Sequence, residues 1–347
     1  MRVALVCPYD LGKPGGVQDQ VFRLRQWLLD ARHEPVVVGP GDEGPDGSVL
    51  LGSSVGVRAN KSSVPIALDP RVLGKVRSAI GDVEVVHIHE PLMPMVSLAA
   101  TRINDLPTVG TFHADASAFA RRSIRLGMPV VRGVVSRLDV MTSVSAVAGS
   151  VVRGVGELRT IPNGVDVSHY EAGTKRPGSV VFLGRDDPRK GLDILLEGWP
   201  AVREAVADAT LTVIGAHRDE APAGVEYLGR VSEADKQAAL STSSIYVAPN
   251  TGGESFGIVL VEAMASGCAV IASALPGFVR VVGDAGELVR PADVSGLAER
   301  IVDVLQNDAR RLRLGEAAQE RAQVFDGPKV ASQYIEAYED AVAIHGR

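Results

Sequence analysis

The sequence is short of aromatic residues, of cysteine and of long apolar runs, and each shortage narrows what the chain can be. Aromatics make up 4% of its 347 residues while hydrophobic residues reach 46%, so the interior must be built mainly from Val, Leu, Ile and Ala. The only two cysteines, Cys7 and Cys268, cannot make a disulfide framework. Each lies in an apolar stretch and reads as a small buried thiol, which fits a reducing compartment. No run approaches the ~18 apolar residues that cross a bilayer, and the apolar stretch after Met1-Arg2 is too short for a secretion signal. The chain is therefore expected in the cytoplasm, either free or peripheral on the cytoplasmic face of a membrane. Basic excess is missing too. With 36 Lys and Arg against 42 Asp and Glu the net charge is −6, which argues against a nucleic-acid partner. The Lys13-Pro14-Gly15-Gly16 loop that opens the first helix is not a Gly-x-Gly-x-x-Gly dinucleotide fingerprint, and there is no Asp-x-Asp pair and no His/Cys set with metal-ligand spacing, so neither a cofactor nor a required metal is expected.

What is present is alternation. Short Val- and Ile-rich runs (3–8, 35–38, 83–89, 108–112, 140–144) are separated by helical patterns at 17–31, 93–102 and 117–137. The habit repeats with runs at 179–183, 211–214, 225–228, 245–248 and 269–272, and helices around 191–205, 233–240, 256–266 and 294–305. Continuous apolar runs alternating with helices imply parallel sheets covered on both faces. Two such series in a chain of this length imply two doubly wound domains of α/β class. The polar stretch Tyr170–Gly178 suggests the boundary, giving domains at 1–170 and 171–328, with an amphipathic helix at 329–347 that has no place in a simple second domain. Doubly wound domains bind ligands beyond the carboxyl ends of their strands, and the two are expected to face each other across a cleft. The segments after strands are therefore the informative ones.

Charge is divided unevenly: residues 1–170 carry 18 Lys/Arg and 16 Asp/Glu, the remainder 18 and 26. Arg121, Arg122, Arg125, Arg132 and Arg137 cluster with a single acid, Asp115. That cluster reads either as a solvated helix face or as a seat for anionic headgroups.

Six segments carry chemistry. Lys13-Pro14-Gly15-Gly16 opens the first helix, where free N–H groups and close backbone approach suit a phosphate, although a plain tight turn explains it as well. Val86-His87-Ile88-His89-Glu90-Pro91 ends a strand with two histidines on one face; a third ligand with metal spacing is missing, so they read as core or cleft residues. Thr111-Phe112-His113 ends the next strand and aims His113 at the crevice. Ile161-Pro162-Asn163-Gly164 is a turn between domains. Gly184-Arg185-Asp186-Asp187-Pro188-Arg189-Lys190-Gly191 gathers three cations at a strand end, where Arg185 and Lys190 suit a diphosphate. The most specific segment is Gly252-Gly253-Glu254-Ser255-Phe256-Gly257-Ile258-Val259-Leu260-Val261-Glu262. Two carboxylates flank a helix start whose amides at Gly257, Ile258 and Val259 suit phosphate. Glu254 can reach sugar hydroxyls and Glu262 the hydroxyls of a ribose. A hydrolase could also use such a carboxylate pair, but the phosphate-binding surroundings argue against that.

In their order and wording these segments resemble family 4 of the GT-B glycosyltransferases, along nearly the whole chain. The Val-Cys-Pro-Tyr opening and the Gly-Gly-Glu-Ser-Phe-Gly block are similar to mannosyltransferases of that family. The resemblance implies two Rossmann-like domains, no required metal, and retaining transfer of mannose from GDP-mannose to the inositol of phosphatidylinositol. It implies Gly15 and Gly16 near the donor phosphates and acceptor, and Arg185 and Lys190 on the diphosphate. Glu254 would hold the sugar, with the Ile258 and Val259 amides on phosphate and Glu262 on ribose. Val231, Glu233 and Lys236 would border the base, His113 would stand beside the anomeric centre, and Tyr9, Gln18 and Asn60 would line the acceptor pocket. The last helix would return to the first domain. Four departures stand out: Ala118 where the mannosyltransferases have a Lys, Pro65 near the place of an acceptor Arg, Asn250 for a His, and a shorter Pro-Arg-Lys-Gly block. Arg121 and Arg122 could replace the missing acceptor charge. A transferase of the same family with another nucleotide sugar or a soluble acceptor is the alternative that these departures favour. A nucleotide-sugar epimerase and a non-catalytic nucleotide-sugar-binding subunit are further alternatives.

Overall fold

The computed structural model describes residues 1–52, 55–59, 62–66, 72–113 and 128–346. The chain forms two units: Met1–Gly164 together with Gly327–Arg347, and Val165–Asp326.

The first unit holds a seven-stranded sheet in the order β3-β2-β1-β6-β7-β8-β9. Its strands are β1 (Arg2–Val6), β2 (Glu34–Gly39), β3 (Ser48–Leu50), β6 (Val85–His89), β7 (Thr108–Phe112), β8 (Val140–Ser143) and β9 (Arg159–Thr160), and every neighbouring pair runs parallel. The hairpin β4 (Val55–Ala59) and β5 (Ser62–Ile66) pairs apart from it. The period of two is visible in β1. Val3 and Leu5 join Val21, Leu24, Trp27 and Tyr338 in one core, whereas Ala4 and Val6 join Val76, Ile80, Val96 and Ala100 in the core on the opposite face. A strand buried on both faces needs apolar residues throughout, which is why the sequence shows a continuous run there. Full burial of one Leu or Val side chain contributes about 1.5–3 kcal/mol.

The second unit repeats the plan with six strands in the order β12-β11-β10-β13-β14-β15. They are β10 (Arg176–Leu183), β11 (Thr210–Ile214), β12 (Val225–Gly229), β13 (Ser243–Ala248), β14 (Ala269–Ser273) and β15 (Glu287–Val289), all parallel. Val180 and Phe182 pack with Leu192, Leu195 and Trp199, while Val181 faces the opposite core with Leu260, Val261 and Met264. In both sheets the order reverses beside a central strand: β1 lies between β2 and β6, and β10 between β11 and β13. Such switch points open a crevice at the carboxyl ends of the flanking strands. The segments singled out in the sequence follow β1, β6, β7, β10 and β13.

The crossing point differs from the sequence expectation of Tyr170–Gly178. It lies at Gly164, because Val165, Val167 and Tyr170 are buried in the second core and the Tyr170 hydroxyl donates to Glu233 at 2.7 Å. The return lies at Gly327 rather than Lys329. The returning helix, Gly327–Ile344, buries Val330, Tyr334, Ala337, Tyr338 and Ala341 in the first unit's core, as its sequence pattern requires. Several elements escaped the sequence reading, among them β3, the β4–β5 hairpin and the helix Asp308–Ala322, which Asn307 caps by accepting from the Arg310 N–H at 2.9 Å.

Candidate active site

In the second unit, the loop from β10 to the helix Leu192–Ala205 is shaped by a capped turn. Asp187 accepts hydrogen bonds from the Arg189 N–H at 2.9 Å and from its guanidinium at 2.7 Å. These bonds hold the Asp187 carboxyl down at about 2. Arg189 is thus turned onto its own loop. Gly191 then takes φ 73°, and a Cβ there would collide with the Pro249 carbonyl, so only glycine lets the two strand-end loops meet this closely. Asp186 is paired with Arg218 at 2.9 Å, and Arg218 also reaches Asp193 at 2.7 Å. Both acids of the loop are therefore neutralised by arginines. Arg185 is exposed and has no ion-pair partner among the described residues.

Lys190 meets Glu254. Its ammonium donates to Glu254 Oε1 at 2.5 Å, and Asn250 Nδ2 donates to the same oxygen at 3.0 Å. Glu254 and Lys190 are partly covered, at 19% and 28% side-chain exposure, which makes the pair stronger than a fully solvated one while leaving it open to a ligand. After Glu254 the chain turns through Gly257 at φ 102° into the helix Ile258–Ala265. A Cβ at Gly257 would press on Phe278 at 2.8 Å. The first turn of any helix presents amides that have no partner within the helix, and here those include Ile258 and Val259.

Glu262 lies one turn further on. It is 3% exposed and takes the Lys236 ammonium on Oε2 at 2.9 Å, while Lys236 also reaches Glu233 at 2.8 Å and lies 5.6 Å from the Tyr170 ring centroid. The two carboxylates of the Glu-x7-Glu block thus serve two separate lysines. Val231 is half-buried against the same core. Within the second unit the structure brings Lys190, Asn250 and Glu254 into one group, and Glu233, Lys236 and Glu262 into another.

In the first unit the histidines form a buried column. His87 bonds the Tyr338 hydroxyl at 2.9 Å through Nδ1 and the Thr111 hydroxyl at 2.6 Å through Nε2. His89 Nδ1 lies 2.8 Å from His113 Nε2, and the His87 and His89 rings stand 4.1 Å apart between centroids. Burial holds all three below the usual imidazole range, His87 at about 3 and His113 at about 4; the column is neutral near pH 7. His113 N–H also donates to Glu90 Oε1 at 2.7 Å, with Glu90 in the left-handed region at φ 50°. The nearby Tyr9 hydroxyl is pushed up by burial and then by the Glu90 charge.

Gln18, expected at the acceptor, ties the preceding loop. Its amide donates to the Asp10 and Lys13 carbonyls at 3.2 and 3.3 Å, and its side chain covers Gly15. Gly16 faces open space at the start of the helix Gly16–Asp30. Asn60, Ala118, Arg121, Arg122 and Arg125 lie outside the described residues, as does the side chain of Pro65. Of the helix expected at 117–137, Met128–Val135 is described. There Arg102, Val130 and Arg137 line a surface cavity of about 280 Å³.

The partners that sequence reasoning missed are Tyr170 for Glu233 and Tyr338 for His87. Each comes from a distant part of the chain. Asn250 was visible as a departure, and its nearness to Glu254 in sequence was the available signal. No group of His, Cys, Asp and Glu able to hold a metal occurs among the described residues.

This architecture is that of the GT-B glycosyltransferases. Sucrose-phosphate synthase from Thermosynechococcus elongatus superposes with TM-score 0.74 at 20% identity, covering 99% of each chain. Anabaena HepE in complex with UDP gives 0.77 at 18% identity, covering 98% of this chain and all of that one. Residues 14–169 match the family described as Glycosyltransferase Family 4, and residues 177–307 match Glycosyl transferases group 1. Phosphatidyl-myo-inositol mannosyltransferase of Mycobacterium leprae is 37% identical over 98% of this chain and 96% of that protein. The enzyme of that name from Propionibacterium freudenreichii is 34% identical over 100% and 98%. The chain belongs to family 4 of the glycosyltransferases, in the group of the actinobacterial phosphatidyl-myo-inositol mannosyltransferases.

Proposed function

We propose that the protein transfers mannose from GDP-mannose to the inositol ring of phosphatidylinositol, with retention at the anomeric carbon. The observation that carries this reading is end-to-end similarity, at 34–37% identity, to relatives named phosphatidyl-myo-inositol mannosyltransferase, a name that gives the sugar and the acceptor. The cation-rich strand end of the second unit supports it. Arg185 and Lys190 supply positive charge for a departing diphosphate, and the amides of Ile258 and Val259 supply hydrogen bonds. Glu254 offers a carboxylate to sugar hydroxyls, with Oε1 already held by Lys190 and Asn250. Glu262, fixed by Lys236, is suited to a ribose. These cations do the work for which other transferases use a divalent ion, so transfer persists in a chelator. In the first unit, Tyr9 and His113 serve the acceptor, whereas Gln18 shapes the loop in front of it. The basic residues around Met128–Val135 favour an anionic lipid surface. No helix among the described residues is long and apolar enough to cross a membrane, so access to the lipid would be from the surface.

A second reading keeps the family and changes the substrates. The departures at Ala118, Pro65 and Asn250 favour it, and a glycogen synthase of Mycobacterium tuberculosis is 26% identical over 93% of the chain. A mass-spectrometric assay separates the two. GDP-mannose and UDP-glucose are offered in turn, each with phosphatidylinositol vesicles and with a pool of soluble sugars and polyols. A mannosylated phosphatidylinositol formed only from GDP-mannose is expected. A product on a soluble acceptor, or one formed only from UDP-glucose, supports the second reading, and an enzyme inert to every pair would make it a nucleotide-sugar-binding subunit.

A further inference from the structure

His113 is held from two sides. Its backbone N–H is fixed by Glu90 Oε1 at 2.7 Å, and its Nε2 lies 2.8 Å from His89 Nδ1. A neutral imidazole carries one ring proton, so the protons along this chain are countable. The proton between the two rings sits either on His113 Nε2 or on His89 Nδ1, and the other nitrogen of His89 decides which. On His89 Nδ1 it makes His113 Nε2 bare and puts the His113 proton on Nδ1. That leaves His89 Nε2 as a lone pair. That nitrogen is buried without a hydrogen-bond partner, and His89 is 1% exposed. The reverse order would bury an N–H with no acceptor, the costlier fault. Main-chain contacts hold His89 in turn, since Ser97 Oγ donates to its carbonyl at 2.7 Å.

We propose that His89 is a positioning residue that donates from Nδ1 to His113 Nε2 and so locks His113 in its Nδ1–H form. His113 Nε2 is then engaged inside the protein, and the ring meets the substrate neutral and in one tautomer. The activity consequence rests on the proposed function; the tautomer does not.

The test is nitrogen-15 NMR of histidine-labelled full-length protein at pH 7, with transfer rates measured alongside. In the wild type, protonated Nδ1 and bare Nε2 are expected for both His89 and His113; a protonated Nε2 on His113 overturns the proposal. An Asn side chain places its amide where Nδ1 stood, and a Gln amide reaches only the Nε2 position. His89→Asn should therefore keep the single His113 tautomer and a near wild-type rate. His89→Gln should give mixed His113 signals and a kcat lower by about tenfold or more, with KM nearly unchanged. If both variants lower kcat equally while keeping the His113 tautomer, His89 acts only in packing and the proposal fails. If His89→Gln does not fold, the wild-type and His89→Asn spectra decide. Unchanged transfer by His113→Ala would refute the role given to His113 in the proposed function and leave the tautomer assignment to the spectra.

Discussion

The two units share one architecture but treat their polar residues in opposite ways. At the strand ends of the first, three histidines are buried and neutral: His89 is hydrogen-bonded to His113, and His87 to Thr111 and Tyr338. At the strand ends of the second, charges stay charged. Lys190 and Glu254 are paired but partly exposed, Asp186 and Asp187 are matched by Arg218 and Arg189, and Arg185 stands open. A buried neutral column gives fixed shape and no field. A half-exposed set of ion pairs with one spare cation gives a field that an anion can claim. The same fold thus supplies one surface suited to a neutral polyol and another suited to a diphosphate.

The largest expected effect separates these two surfaces. Glu254→Ala removes the carboxylate that holds Lys190 and Asn250, and transfer should fall by about 10²–10³-fold in kcat with the thermal midpoint little changed. A rate within a few-fold of wild type would remove Glu254 from the site. Next comes Gly191→Ala. The added Cβ meets the Pro249 carbonyl at a positive φ, and the expected cost is more than about 2 kcal/mol in denaturant unfolding; a neutral result would mean that the two loops part easily.

Acid should strike the first unit. Burial puts His87 at about 3 and His113 at about 4 in the folded protein, below the ~6.5 of an unfolded chain. The unfolded state therefore binds protons first as pH falls. Stability is complete above about pH 6.5 and drops by about 1.4 kcal/mol per pH unit for each such histidine down to its folded value. Asp187, depressed to about 2, loses its own contribution only as pH falls below the ordinary carboxylate range. Denaturant midpoints between pH 7 and 4.5 should fall steeply, and a flat profile would show that the histidines are not buried neutral. The smallest effect is expected at Arg218→Ala. Its pairs with Asp186 and Asp193 are well exposed, so unfolding should shift by no more than about 1 kcal/mol, and a larger shift would mean that the loop depends on them.

Much of this contrast was legible in the sequence. Strands buried on both faces announce themselves as continuous Val and Ile runs, and Gly191 and Gly257 mark the turns at which their loops end. The charged residues of the 184–191 and 252–262 segments could be read as a group because each group lies within a few positions. The crossing point at Gly164 was legible only in part: the Ile161-Pro162-Asn163-Gly164 turn was placed between the domains, but the boundary was set later, at Tyr170–Gly178. Tyr170 sits in a polar stretch, and only its distant partner Glu233 reveals that it is buried. The loop bonds of Gln18 were not legible either: its side chain turns back to the Asp10 and Lys13 carbonyls, a geometry that spacing does not encode. The two histidines of β6 were placed on one face correctly, but the bond from His89 to His113 joins neighbouring strands and depends on their register.

The contrast between the units is tested most directly by calorimetric titration with GDP at low salt. If the second unit's cations hold the diphosphate, Arg185→Ala and Lys190→Ala should each weaken GDP binding by about tenfold or more, while His113→Ala leaves it unchanged. Equal affinities in all three variants, or a loss confined to His113→Ala, would contradict the account.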